Sequence, residues 1–257
     1  MLTYAAMIPL STRTLTHLSD LLRAHRAQLG SRWRRLDCGR QALLVLAHLR
    51  NGDTYTRLAA GFGVGIATVC RYVREALDVL AGQAPSPHQV VSAAARLIYV
   101  ILDGTLVRID RIAADRPYYS GKHKRHGVNV QILADSRGRL LWASAALPGA
   151  THDLTAARRH GVITALTKYG VACYADAAYQ GAGPVVAVPF RRRTARRLST
   201  NERAVNRSHA RNRGPGERAV AILKTWKLLT QLWCCPRCAT TIIAAIRVLQ
   251  TIEDQRL

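Results

Sequence analysis

Apolar positions along this chain change period once, and the change divides it in two. Between residues 13 and 50 they recur at helical spacing. Leu15, Leu18, Leu21 and Leu22 form one stripe, and Leu43, Leu44, Leu46, Ala47 and Leu49 a second that Gly52 is placed to stop. Thr54 to Leu80 predicts two further helices around a Gly63-Val64-Gly65 turn. The stretch from Gly82 to Pro87 is turn-rich and without periodicity, so residues 85–92 are expected to be a linker. Beyond it, apolar runs of strand length take over: Leu97–Leu102 running into Asp103-Gly104, Val128–Leu133, Leu140–Ala146, Val171–Tyr174 and Val185–Val188. A turn at Asp135–Gly138 joins the second run to the third. Asp153–Tyr169 predicts a helix ended by Gly170, and residues 200–213, 217–231 and 239–252 predict three more. The expected fold is an all-helical domain at 1–84, then an α+β or α/β domain at 93–257 whose mixed sheet is covered by helices.

Hydrophobic residues make up 49% of the 257, enough for a sizeable core. Charge changes the picture more. With 38 Lys+Arg against 15 Asp+Glu, the formal net charge is +23, which favours a polyanionic partner through phosphate neutralisation and counterion release. A ribosomal-type protein or a membrane coat would share the charge, but not this pattern of strands and helices without a long basic tail. No apolar run reaches the roughly 18 residues of a membrane span, and the N-terminus lacks the basic region of a signal peptide. Cys38, Cys70, Cys173, Cys234, Cys235 and Cys238 are scattered or bunched at one end, unlike a secreted disulfide framework. A cytoplasmic, nucleoid-associated protein acting on double-stranded DNA is expected, with no membrane partner.

The segment 54–80 carries a candidate DNA-reading module. Ala59 is small enough to let two helices approach, and Gly63, four residues later, accepts the left-handed conformation of a helix-turn-helix. Ile66, Val69, Val73, Leu77 and Leu80 line one face of the second helix. Its other face presents Thr68, Arg71, Arg74 and Glu75, the basic and hydroxyl surface that major-groove reading uses. An ordinary helical hairpin with a glycine turn is the plainer alternative.

In so basic a chain, carboxylates at strand ends stand out. Asp103 ends one apolar strand and Asp176 another, and Glu217 lies in the first turn of a later helix. Each has a simpler role open to it: turn former, helix cap, or first-turn residue favoured by the helix dipole. Gathered together they would repel without cations, and magnesium suits oxygen ligands and phosphate chemistry.

The neighbouring residues carry a resemblance. In chain order they are Asp103-Gly104, Ser120-Gly-Lys122-His-Lys124, Pro148-Gly149-x-x-His152-Asp153, Tyr174-Ala-Asp176, Asn206-x-x-His209-x-Arg211, then Arg213-x3-Glu217-x6-Lys224. This series resembles the DDE transposases of bacterial insertion sequences, in particular insertion-sequence family five and its Harbinger-like relatives. The resemblance implies a ribonuclease-H-like catalytic domain in which Asp103, Asp176 and Glu217 bind two Mg2+ or Mn2+ ions. It implies cutting at terminal inverted repeats and joining of the freed 3′-hydroxyl to target DNA, by a homo-oligomer on DNA. Arg213, Lys224, Lys122 and Lys124 would contact phosphates. The chain departs from the pattern with Ala210 where tyrosine is frequent, Ala178 where glycine is frequent, and Gly214-Pro215-Gly216 ahead of the glutamate. Those departures motivate one alternative, an inactive or domesticated relative that acts as a sequence-specific DNA-binding protein. A ribonuclease-H-type nuclease that cuts without joining is another.

Three further signals are weighed with this. Asp153 is expected to cap a helix rather than to help position the site. Arg203, Arg207 and Arg211 fall on one helix face, usually a solvated one, yet with the cluster Arg191–Arg197 just upstream a DNA-tracking surface is an equal reading. Cys235-Pro-Arg-Cys238 has zinc-like spacing without a second such pair, and small surface or core cysteines are the favoured reading.

Overall fold

A computed structural model describes residues 7–31, 33–110, 115–192, 197–233 and 235–255, which divide into two compact units. Residues up to Ala84, with 224–231 and 241–257, form the first; Pro85–Leu223 and Leu232–Thr240 form the second.

In the first unit, α1 (Thr12–Gln28) and α2 (Cys38–Leu46) are followed by one wide helical turn that Gly52 ends at φ 74°. Helices α3 (Tyr55–Phe62) and α4 (Ile66–Ala81) follow. Leu18, Leu22, Leu44, Val45, Val69, Val73 and Leu80 build its core. C-terminal residues complete it. Trp226 is fully buried and its indole N–H donates to Gln250 Oε1 at 2.8 Å, while Glu253 Oε1 accepts from both the N–H and the hydroxyl of Ser11 at the start of α1. The expected helix 217–231 therefore stops early. Its last residues instead form a short 3-10 turn, Lys227–Thr230, that buries Leu229.

Gly63 ends α3 in the left-handed region at φ 65°, and Val64 N–H closes the turn onto Ala59 O at 3.1 Å. Two expectations for α4 are corrected. Ile66 is 51% exposed instead of lining the core, because it starts the helix ahead of the first inward turn. Glu75 leaves the outer face: its carboxylate accepts two bonds from Arg34, at 3.1 and 2.8 Å, and one from Gln41.

The second unit opens with a helix where a linker is expected. Ser86 and Gln89 form a reciprocal capping box, Pro87 takes the first helical position, and α5 (Pro87–Ala94) buries Val90, Val91 and Ala94. The prolines read as breakers in sequence, yet at a helix start the missing N–H costs nothing. Strand β1 (Val100–Arg108) begins three residues later than the apolar run, leaving Ile98 at 90% exposure. Leu97 still belongs to the turn that leaves α5, its N–H bonded to Ala94 O.

Next come β2 (Tyr119–Ser120), β3 (Arg125–Asp135), β4 (Leu140–Ala143) and β5 (Leu147–Pro148). The β3–β4 turn is fastened by Asp135, whose carboxylate accepts from the N–H groups of Arg137 and Arg139 and from the Arg139 side chain. The single helix expected over 153–169 is two, α6 (Asp153–Arg159) and α7 (Val162–Tyr169), because Gly161 turns left-handed at φ 71°. That break lets Ala157 and then Val162 and Leu166 all reach the core. β6 (Cys173–Ala175), β7 (Val186–Ala187), α8 (Thr200–Arg213), α9 (Pro215–Lys224) and α10 (Pro236–Asp254) complete the chain.

The sheet order is β2-β3-β1-β6-β7, with β4 and β5 also paired to β3. β1 is antiparallel to β3 and parallel to β6, and β6 is parallel to β7, so the sheet is mixed. Val100, Leu102 and Leu133 pack on one face against α5, α6 and α7. On the other face α9 comes close enough that a Cβ on Gly216 would stand 2.7 Å from Ile101 Cγ2.

Candidate active site

Register alone brings the two aspartates together. Leu102 of β1 pairs with Ala175 of β6, so Asp103 and Asp176 are the next residues along the two parallel strands. Asp103 does not end its strand as expected, because pairing with β3 carries β1 on to Arg108, and only β6 stops before its aspartate. Asp103 Oδ1 accepts from the N–H of Gly104 at 3.0 Å. Burial pushes its carboxyl above the ordinary 3.8; Arg213 opposes the rise, and Asp176 and Asp153 add to it. Asp176 does serve as a cap: Oδ1 accepts from Ala178 N–H at 2.8 Å at the start of a 3-10 turn. Its other oxygen, Oδ2, is turned to Lys122.

Glu217 is held differently. Gly214 keeps helical angles (φ −48°, ψ −42°), so α8 passes into α9 with little interruption. Gly216 provides the room against Ile101, one residue pair before Asp103 on the same face of β1, and Gly138 gives similar room to Pro215 O. The Gly-Pro-Gly lead-in thus lets the helix lie close to the sheet. Arg213 then links the two: Nη1 is 3.8 Å from Asp103 Oδ2 and Nη2 is 3.5 Å from Glu217 Oε1. The Glu217 side chain is 73% exposed. Lys224, exposed at the end of α9, is two turns further along the helix.

Sequence reasoning missed a third aspartate. Asp153, expected as a cap, is the first residue of α6 and its carboxylate turns inward. Oδ1 accepts from Asn129 at 2.7 Å and Gln131 at 3.3 Å, and Oδ2 is 3.7 Å from Lys122 Nζ. Gln131 in turn accepts from the Tyr179 hydroxyl at 2.5 Å. Burial and then the surrounding carboxylates push that phenol well above its ordinary range, keeping it a neutral donor. Gly104 is required by this arrangement, since a Cβ there would collide with Asp153 Oδ1. The signal was present in β3, where Asn129 and Gln131 interrupt an apolar run at alternate positions, one face of a buried strand.

Lys122 Nζ, 4.0 Å from Asp176 Oδ2, thus lies between two carboxylates. The loop carrying it faces residues 149–153 across a cavity of about 340 Å³ that Asp153, Asp176 and Asn129 also line. Lys124 is exposed, at φ 50°. Asn206 and His209 are clamps: the Asn206 amide bonds both N–H and C=O of Phe190, and His209 Nε2 meets Ala187 O at 3.1 Å. Arg203, Arg207 and Arg211 are exposed on α8. Of the arginine cluster, Arg191 donates to Ala177 O at 2.8 Å, and residues 193–196 lie outside the described residues. In the first unit Arg71 and Arg74 are exposed on α4, Thr68 is half-buried, and Arg71 donates to the Thr68 hydroxyl at 3.3 Å.

Among the described residues, no three His, Cys, Asp or Glu side chains are gathered so as to hold a metal ion. No helix among them is long and apolar enough to cross a membrane.

Comparison with known proteins gives this geometry its context. Residues 102–250 match the family described as DDE superfamily endonuclease, and residues 34–86 match the helix-turn-helix of DDE superfamily endonuclease. A protein of Streptomyces albus G assigned as the transposase of insertion sequence element IS112 is 32% identical over 74% of this chain and 70% of its own length. One of Microchaete diplosiphon, assigned to insertion sequence element IS702, is 22% identical over 88% of this chain and 85% of its own. No solved structure matches the chain significantly. The mixed sheet with its flanking helices accords with the ribonuclease-H-like fold expected of such a domain. With the family match spanning most of the second unit and a separate match over the helix-turn-helix, the chain belongs to the DDE superfamily of endonucleases, as a transposase of the insertion-sequence type.

Proposed function

We propose that this transposase binds the terminal inverted repeats of its element, cleaves there, and transfers the freed 3′-hydroxyl to target DNA, with Asp103, Asp176 and Glu217 as its acidic triad. One observation carries the assignment: Asp103, within β1, and Asp176, just past β6, each follow the last paired residues of two adjacent parallel strands, and Arg213 joins Asp103 to Glu217. The donor chemistry suits a divalent cation, because burial and then the neighbouring Asp176 and Asp153 carboxylates raise the Asp103 carboxyl, a repulsion that a cation would relieve. Asp103 and Asp176 would hold such an ion, with Glu217 as the third ligand. Bound there, it supplies Lewis-acid activation of the attacking hydroxyl and charge for the leaving oxygen.

The remaining work falls to the chain itself. Arg213 and Lys122 place positive charge beside the carboxylates, where phosphate oxygens of a bound strand would be received. Gly104 and Gly216 keep backbone and helix close enough to fix those groups. Thr68, Arg71 and Arg74 on α4 would read the repeat in the major groove, with Lys124 and Lys224 as backbone contacts. The Gly-Pro-Gly segment, which motivated an inactive relative, is accounted for by close packing, so the active reading is preferred.

The test is cleavage of a plasmid carrying the element ends, with Mg2+ or Mn2+, by wild type and by the triple variant Asp103→Ala, Asp176→Ala, Glu217→Ala. The expected result is metal-dependent nicking by the wild type and retained binding without nicking by the variant. Nicking by the triple variant would overturn the assignment. Tight binding without nicking by the wild type under any ion would favour the DNA-binding alternative.

A further inference from the structure

The motif that transposition leaves unused is Cys235-Pro-Arg-Cys238. It opens α10: Pro236 is the first helical residue, Cys235 stands immediately before it, and Ala239 N–H donates to Cys235 O at 3.1 Å. One turn therefore brings the two thiols together, with Sγ–Sγ 3.3 Å and both residues exposed. A bond of about 2.05 Å requires them to close by little more than an ångström. The segment is pinned on either side to the catalytic sheet. Leu232 N–H donates to Arg108 O at 2.8 Å and Leu232 O accepts from Asp110 N–H at 3.1 Å, while the Thr240 hydroxyl accepts from Ala146 N–H at 3.0 Å. Closure of the pair within one turn leaves those anchors in place.

We propose that Cys235 and Cys238 are a redox-active dithiol, a modification site that low-molecular-weight disulfides such as glutathione disulfide convert to an intramolecular disulfide. Cys235 is the attacking sulfur. Its hydrogen bonds with the Cys238 backbone and with the Cys238 sulfur, together with the positive charge of Arg237, hold its thiol below the ordinary value. The Cys235 thiolate attacks one sulfur of the small disulfide, forms a mixed disulfide and expels one thiolate, which takes up the proton Cys235 gave. Cys238 then gives up its proton and attacks Cys235 Sγ, expelling the second small thiol. One small disulfide is reduced to two thiols, and the cysteine pair loses two electrons. Cys173 offers a contrast within the same unit: it is buried, and burial pushes its thiol up to about 12.

The experiment treats the full chain with glutathione disulfide at neutral pH, traps the remaining thiols by alkylation and maps the peptides by mass spectrometry. The Cys235–Cys238 link should form about tenfold faster than glutathione adds to Cys38 or Cys70. Cys238→Ser should accumulate a mixed glutathione adduct on Cys235, and Cys234→Ser should leave the link intact. A wild-type Cys235 alkylated no faster than Cys38, a stable mixed adduct without ring closure, or a link made through Cys234 would each overturn the proposal.

Discussion

Two aspartates and a glutamate of one candidate site are held by different kinds of structure. Asp103 lies within β1 and Asp176 directly follows β6, adjacent strands whose backbone hydrogen bonds set their spacing before any side chain is placed. Glu217 reaches the same site from a helix, largely exposed, through Arg213. A ladder of strand hydrogen bonds is stiff and shared by many residues. A surface ion pair is worth roughly 0–1 kcal/mol and allows its members to move. The aspartates are therefore fixed by the fold, whereas the placement of the glutamate depends on how closely α9 lies on the sheet.

Single substitutions test that contrast most severely. Asp103→Ala and Asp176→Ala should each lower metal-dependent cleavage by at least about a thousandfold, with binding to element ends retained in a gel-shift assay. Glu217→Ala should match them if the third carboxylate carries equal weight. A loss within tenfold would place the chemistry on the aspartates alone.

Helix approach comes next in size. Gly216→Val forces side-chain carbon into Ile101, an overpacking that costs typically about 1–3 kcal/mol. The expected outcome is a lower Tm together with weaker cleavage, because the same displacement carries Glu217 away. Unchanged stability would show that α9 does not need this approach.

A smaller effect concerns the charge of Asp103. Its carboxyl titrates above the ordinary 3.8 because burial disfavours the ionised form. Stability from the neutral form is complete below that ordinary value and is lost as pH rises through the raised one. Without divalent metal, Asp103→Asn should therefore be more thermostable than wild type near neutral pH and indistinguishable at pH values below the ordinary carboxylate range. Thermal melts across that window decide the point. Added Mg2+ should raise the wild-type Tm and leave the variant nearly unchanged.

The smallest expected effect lies on α4, in the other unit. Arg71→Ala should weaken binding to element ends and reduce the salt slope by about 1 if it meets a phosphate, leaving cleavage of bound DNA intact. A loss of cleavage at saturating DNA would mean that the reading helix also shapes the site.

Much of this was legible in the sequence because periodicity and register are local properties. The helix-turn-helix followed from Ala59 and Gly63, and the pairing of Asp103 with Asp176 from two apolar runs that each end in an acid. Segments whose meaning depends on what covers them were not legible. Ser86-Pro87 looks like a breaker until Gln89 closes the capping box and Val90 and Val91 find a core. Asp153 looks like a cap until Asn129 and Gln131 turn toward it. Arg34 and Glu75, 41 residues apart, have no signature in the chain between them.

By itself, then, the sequence determined most of the helices and strands, the basic composition that suits DNA, and that Asp103 and Asp176 each follow an apolar run, since each depends on neighbouring residues or summed charge. Only the tertiary structure decided that residues 224–231 and 241–257 complete the helical unit. Only it decided that Gly-Pro-Gly is a close-packing device, and that Lys122 and Arg213 are the cations beside the acids. Those outcomes depend on surfaces meeting across long sequence separations, where distance and burial, not residue type, set the energy.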